Sequence, residues 1–416
     1  MAPSQPKDDE EAAKPPLQTV YSEAARTVLQ ETSARVQEMH GAIAARAFDV
    51  LQKIPLVAGP ATLVRHAHDA IAGGVYAAVR LGGGLLGLTA QLEKTRRLAN
   101  APAPPSAPRY ELPPDPPNRL ANSLRSALNA AFGDHLAGTR SVLAIPMAIH
   151  RAGHAVPLTR AALAAAFPAA GERLCLFIHG LAYDERCWDV AAAGDPKKGK
   201  DRVDIPHRLA ADLGYDALTL RYNSGLPIVE NGAQLAVLLE TLLAQWPCVP
   251  RELVIVGHSM GGLVARSACA QAGDAGLNWP GRTRMVICLG SPHLGSPLER
   301  LGHLATTALG LSAITAPLAR VAAQRSQGIQ DLRHGVGGEF AKGIAWRFIG
   351  GSLAEDPENP LGALIGDGLV TLGSATAGPL GGDVRSVRLG GVGHMGLLHD
   401  ERVYRQIRKW LEDTKA

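Results

Sequence analysis

The chain has 416 residues, with 42 lysines and arginines against 38 aspartates and glutamates and a net charge of +4. No basic block stands out, so nucleic-acid binding has no support, and the length exceeds one typical domain, leaving room for a large core and an extension. Aromatic residues make up only 4% while the hydrophobic share is 46%, so packing must rest on Leu, Val, Ile and Ala, which suits helices laid over parallel strands.

Residues 1–16 are polar and proline-containing and read as a disordered tail. They lack the basic-then-apolar order of a secretory signal, so the expectation is a cytoplasmic protein, with membrane association left open. Residues 17–100 form a helical N-terminal extension: Val28, Val36, Met39, Ile43, Val50 and Ile54 recur largely at three- and four-residue steps or their multiples, the spacing of one helical face. The stretch from Ile71 to Ala90 has the length of a membrane span but carries Arg80 and many glycines, so a spanning helix is not the first reading. Such apolar faces need a cover, for which the candidates are the following domain, self-association with a second copy, or peripheral contact with a lipid membrane. Residues 101–117 are a Pro-rich linker.

The remaining chain, 118–416, alternates helix and strand. A helix is expected over 118–136, then two strands, Ser141 to Ile149 and Val156 to Leu158, around an Arg-Ala-Gly-His turn. Leu174 to Ile178 is a continuous apolar run of buried-strand type, Ala217 to Tyr222 another strand, and Asn231 to Trp246 a crossover helix. Alternation of this kind favours a mostly parallel sheet covered on both faces, an α/β fold. Residues 298–332 are rich in Leu, Ala and Ile with few charges and form a cap candidate, or else part of the buried core. Five cysteines, Cys175, Cys187, Cys248, Cys269 and Cys288, show no metal-ligand spacing and are expected as buried thiols. No metal or cofactor is implied.

The most informative segment is Val254-Ile255-Val256-Gly257-His258-Ser259-Met260-Gly261-Gly262-Leu263, an apolar strand that breaks into G-x-S-x-G and becomes a helix. A sharp turn there crowds the side chains around the serine, and Gly257 and Gly261 relieve the crowding. Ser259 is therefore the candidate nucleophile. The helix begins at its side, so the N–H of Met260 can face an oxygen where negative charge develops. The strand ending in His179-Gly180-Leu181 supplies a second loop, with Leu181 N–H as the other oxyanion donor. Downstream, Asp367 lies in a glycine-flanked turn and His394 in a glycine-rich loop after the last strand, in the order serine, acid, histidine.

With these parts in order, residues 140 to 412 resemble the α/β-hydrolase superfamily, and within it the serine lipases and esterases, including bacterial lipases and relatives that remodel lipid anchors. The segment Gly290-Ser291-Pro292-His293-Leu294-Gly295-Ser296 is similar to the Thr-Pro-His-x-Gly-Ser stretch after the sixth strand of many lipases, with serine in place of threonine. The resemblance implies a catalytic triad of Ser259, Asp367 and His394, an acyl-enzyme intermediate, and an acyl ester or lipid substrate, without a cofactor. It fits a thioesterase, amidase or acyltransferase on the same triad as well. The contrasting class is a non-catalytic membrane-docking or interaction protein whose N-terminal helices carry the function. His179, His258 and His293 are expected to support the site, His258 packing beside the catalytic loop. His399 is the rival base, although His399-Asp400-Glu401 looks like the start of the final helix, and Asp383 is the rival acid, though it lies close to the last strand.

Overall fold

A computed structural model describes residues 119–141, 143–190, 202–296, 326–335, 340–376 and 383–413. The expected tail, N-terminal extension and linker lie outside the described residues, as does most of the cap candidate.

The first described element is helix α1 (Arg119–Gly138), followed by strands β1 (Ala148–Arg151) and β2 (His154–Ala155) and helix α2 (Arg160–Ala166). Strand β3 (Arg173–Ile178), helix α3 (Ile205–Leu213), strand β4 (Asp216–Arg221) and helix α4 (Ile228–Gln245) come next. Strand β5 (Glu252–His258) runs into helix α5 (Met260–Asp274), and strand β6 (Thr283–Leu289) follows. The C-terminal part holds α6 (Gln327–His334), β7 (Ala345–Ser352), the short α7 (Pro360–Ile365) and α8 (Leu372–Ala375), β8 (Val384–Gly390) and α9 (Glu401–Glu412).

The strands form one sheet in the order β2-β1-β4-β3-β5-β6-β7-β8. Strand β1 pairs antiparallel with β2 and β4, and every pair from β4 to β8 is parallel. Alternation along the central strands splits the core into two layers. Leu174, Leu176 and Ile178 of β3 and Leu253 and Ile255 of β5 face one layer with Leu235, Leu239 and Leu242 of α4 and Leu263 and Ala268 of α5. Cys175 and Phe177, then Val254 and Val256, face the other, against Ile205 and Leu209 of α3 and Val403, Ile407 and Leu411 of α9. Burial on both faces is what makes these strands continuous apolar runs rather than alternating ones.

The expected hairpin is present but shorter: β1 begins at Ala148, not at Ser141. The backbone ahead of it is claimed by α1 instead of by a neighbouring strand. Arg125 donates to the carbonyls of Leu143 and Ala144, and Asn129 donates to Leu143 O and accepts from Ile145 N. With those groups satisfied by side chains, no ladder is needed there. The turn falls on Ala152 and Gly153, both at positive φ (51° and 81°), the conformation that matches the twist of a two-residue hairpin.

Chain order places β3 between β4 on one side and β5 on the other. The connections leaving β3 and β5 therefore diverge, which opens a crevice at their C-terminal ends, where open α/β sheets bind ligands. The loop after β3 and the turn after β5 both sit at that switch point.

Candidate active site

Ser259 occupies the strand-to-helix turn between β5 and α5 with φ 53° and ψ −122°, a left-handed conformation that costs a non-glycine residue of the order of 1–3 kcal/mol. Surrounding contacts fix it. Ser259 N–H donates to Leu289 O at 2.8 Å, tying the turn to the end of β6. Ser259 stands at the N-cap position of α5, yet its hydroxyl makes no capping hydrogen bond. Glycine is required on both sides because the helix packs directly on the sheet: a Cβ at Gly257 would lie 2.5 Å from Gly262 N, and one at Gly261 would lie 2.4 Å from Ile178 O.

The loop after β3 approaches the same turn. A Cβ on Gly180 would meet Ser259 Cβ at 3.0 Å and His258 Nδ1 at 3.2 Å, so only glycine lets the two backbones come so close. Leu181 follows immediately and is fully buried. Neither Leu181 N–H nor Met260 N–H donates to another described residue, and Met260, which begins α5, has no intrahelical acceptor for its N–H.

His394 and Asp367 form a buried pair. His394 Nδ1–H donates to Asp367 Oδ2 at 2.7 Å, and Asp367 Oδ1 accepts from the N–H groups of Leu369 (3.0 Å) and Val370 (2.8 Å). His394 N–H returns to Asp367 O at 3.0 Å, so the two loops are stitched through both side chain and backbone. The proton on Nδ1 leaves Nε2 with its lone pair, and His394 Nε2 is buried without a hydrogen-bond partner. The hydrogen bond expected from Ser259 to this nitrogen is not present. The pair lies against the elbow all the same. His258, the residue before Ser259, donates from Nε2 to His394 O at 3.1 Å, with the two rings 4.7 Å apart. A Cβ on Gly290, next to Leu289, would touch both Asp367 Oδ2 (2.9 Å) and His394 Nδ1 (3.2 Å).

The rivals are occupied elsewhere. Asp383 is exposed and pairs with Arg347 at 2.9 Å. His399 contacts Val203 O at 3.4 Å, and burial, aided by the charge of Arg202, lowers its pKa. Asp400 caps α9 by accepting from Arg402 N.

Burial disfavours the charged form of His179, His258 and His293. Burial takes His179 down to about 4, against the opposing pull of the Gly180 carbonyl and Glu185. Its Nδ1–H donates to Gly180 O (2.8 Å) and its Nε2 accepts from Tyr222 N (3.3 Å), which fixes the tautomer. His258 is pushed well below the usual histidine value by burial and then by the neighbouring His394. His293 is pushed to about 3 by burial and then by Arg266. It lies edge-on to Phe348, 4.8 Å between ring centres, with neither ring nitrogen hydrogen-bonded, so it supports its loop by packing rather than by hydrogen bonds.

Sequence reasoning missed a second set of contacts. Arg221, at the end of β4, grips Glu185 with two bonds of 2.5 and 2.6 Å, both residues being buried. Burial by itself would raise the Glu185 pKa, and Arg221 outweighs it and holds the pKa low. Tyr222 stacks on His179 at 4.4 Å and donates from its hydroxyl to His179 O at 3.0 Å. Ser224 Oγ accepts from Ala182 N at 3.1 Å. The signal was present as Arg221-Tyr222-Asn223-Ser224, a charged and polar stretch at the end of an apolar strand.

The described end of the cap candidate is fixed in place. Ser326 Oγ and Gly328 N both donate to Gly225 O, and Asp331 accepts from Ile228 N at the start of α4. Ile329 and Leu332 belong to the core. Residues 297–325 lie outside the described residues. The described cysteines are all free thiols, with Cys175, Cys269 and Cys288 buried and Cys187 and Cys248 partly so. No described helix is long and apolar enough to cross a membrane.

A mostly parallel eight-stranded sheet, a switch point at β3 and β5, and a serine at a left-handed strand-to-helix turn define the α/β-hydrolase fold. Within it, a family model described as the PGAP1-like alpha/beta domain matches residues 228–316, a stretch that includes Ser259 and His293 but neither Asp367 nor His394. A search of the curated proteins returns no match. Similar solved structures include the RedJ thioesterase of the prodiginine pathway of Streptomyces coelicolor, 16% identical over 58% of this chain and 87% of that one, with a TM-score of 0.38. An esterase from Pyrococcus furiosus is 12% identical over 58% of this chain and 81% of its own, with a TM-score of 0.37. A thermophilic esterase from Thermogutta terrifontis is 16% identical over 59% and 92%, with a TM-score of 0.34.

Proposed function

We propose that this chain is a serine hydrolase that cleaves carboxylic esters through an acyl-enzyme intermediate. Ser259 Oγ attacks the ester carbonyl as His394 Nε2 takes its proton. Asp367 keeps the imidazole in the required tautomer and stabilises the imidazolium that forms. The N–H groups of Leu181 and Met260 receive the oxyanion. His394 then protonates the leaving alcohol, and a water activated by the same nitrogen releases the acid.

The observation that carries this reading is the pairing of an uncapped serine in a left-handed turn with a buried His394–Asp367 pair whose outer nitrogen is unoccupied. An acyl-bearing substrate is supported by the apolar rim beside the pair. Leu353 packs over Gly368 and Gly393, which flank Asp367 and His394, and Leu353, Leu364 and Ile365 are all exposed. The test is a panel of p-nitrophenyl esters from acetate upward, beside acyl-CoA thioesters and p-nitroanilides, with wild type and Ser259→Ala. Ester turnover that disappears in the variant supports the assignment. Turnover of thioesters or anilides alone would move the enzyme to the thioesterase or amidase class, and no turnover of any of them would oppose a hydrolase.

A further inference from the structure

Ala182 is at φ 64°, one of four non-glycine described residues at positive φ, alongside Ser259. It stands third in a turn closed by Tyr183 N–H donating to Gly180 O at 3.5 Å, and its own N–H belongs to the peptide that carries Leu181 O. An alanine gains nothing from a left-handed backbone on its own, and the bond that closes the turn from inside the loop is a long one. A second described contact holds the turn from outside the loop, the hydrogen bond from Ala182 N–H to Ser224 Oγ at 3.1 Å, between two residues that are 5% and 1% exposed.

Ser224 is itself anchored on both sides. Its neighbour Asn223 donates to Gly133 O and accepts from Gly225 N, while Asn231 Nδ2 donates to Asn223 O. From the other side, α6 presses its glycine onto the same loop: a Cβ on Gly328 would lie 2.4 Å from Ser224 O and 2.8 Å from Leu226 O. The hydroxyl of Ser224 is therefore a fixed point rather than a loose surface group.

We infer that Ser224 is a positioning residue for the oxyanion site: its hydroxyl holds the Leu181–Ala182 peptide and so fixes the Gly180–Tyr183 turn that presents Leu181 N–H to the oxygen bound to Ser259. The inference rests on the esterase reading above. Ser224 does not touch substrate, so its removal acts on the transition state through the donor it aims, with little effect on ground-state binding.

The experiment compares wild type, Ser224→Ala and Ser224→Cys on p-nitrophenyl butyrate, and measures inhibition by an alkyl trifluoromethyl ketone, whose carbonyl becomes an oxyanion on adding the serine. Loss of a whole oxyanion donor costs roughly 100- to 1000-fold in kcat, and misaiming one is expected to cost about 10- to 100-fold. Ser224→Ala should lower kcat by that factor with KM within about threefold, and weaken the trifluoromethyl ketone by the same factor as kcat/KM. Ser224→Cys, with a sulfur of similar shape but poorer acceptance, should fall between. If Ser224→Ala loses its cooperative thermal transition, the cysteine variant carries the comparison. An unchanged kcat, or a loss confined to KM with ketone inhibition intact, overturns the inference while wild-type turnover leaves the esterase reading standing. Absence of wild-type turnover removes that reading instead.

Discussion

Ser259 is held by the chain that runs through it, whereas His394 and Asp367, 27 residues apart, are held by hydrogen bonds between two loops. Around Ser259 the backbone does the positioning: β5, a strained turn, α5 and the glycines at 257 and 261 leave no room for another arrangement. Around Asp367 and His394, position depends on hydrogen bonds to carboxylate and carbonyl acceptors, each worth roughly 1–3 kcal/mol net. The first kind of geometry can be read from a short sequence pattern, and damage to it is structural. Damage to the second kind should appear in catalysis before it appears in stability.

The largest effect is expected from removing either end of the proton path. Ser259→Ala and His394→Ala should each lower ester turnover by about a million-fold, as for members of a triad acting as a unit. Steady-state rates with circular dichroism as the folding control check this. Asp367→Asn should retain the fold and lose roughly 10,000-fold, because an amide can favour the wrong imidazole tautomer. Asp383→Asn breaks an ion pair with Arg347 remote from the pair and should leave turnover within about twofold, since an exposed partner contributes little; a loss approaching that of Asp367→Asn would exchange the two acids.

Gly261→Ala sharpens the comparison from the other side. Its Cβ would be 2.4 Å from Ile178 O, so β3 and α5 must separate, at a cost of about 1–3 kcal/mol. Thermal unfolding should shift down visibly. His258→Phe keeps the ring but removes the donor to His394 O; a lost bond of about 1 kcal/mol should reduce kcat roughly fivefold, with a smaller change in thermal midpoint than Gly261→Ala produces. The reverse ranking would contradict the division between the two halves.

The buried histidines add a pH dependence. His179 titrates near 6.5 when unfolded and about 4 when folded, because burial disfavours its charge. The unfolded chain therefore binds the proton first, so this contribution is complete above about pH 6.5 and is lost as pH falls toward 4. His293, held at about 3, extends the loss further down. Thermal midpoints should decline across that window, and His179→Gln should flatten the upper part of the decline.

Legibility in the sequence followed the same division. The apolar runs of β3 and β5, the elbow and the glycine-flanked acid and histidine loops are local patterns, and each marks a place where backbone geometry restricts residue type. What escaped were contacts whose partners lie far apart in the chain. Arg125 and Asn129 take the backbone of residues 143–145 out of the sheet, and nothing in the strand-like run Ser141 to Ile149 announces it. The grip of Arg221, Tyr222 and Ser224 on residues 179–185 joins segments about 40 residues apart, and no spacing rule connects them. The pairing of Asp367 with His394 was legible only because glycine surrounds both residues, as at Gly366 and Gly368, both at positive φ.

The most direct test of the central claim is covalent labelling with a fluorophosphonate, which phosphonylates an activated serine and expels fluoride, followed by intact mass and peptide mapping. One adduct per chain is expected, on the peptide carrying Ser259, lost in Ser259→Ala and strongly slowed in His394→Ala. An adduct mapped to any other serine, or labelling that persists undiminished in Ser259→Ala, would contradict it.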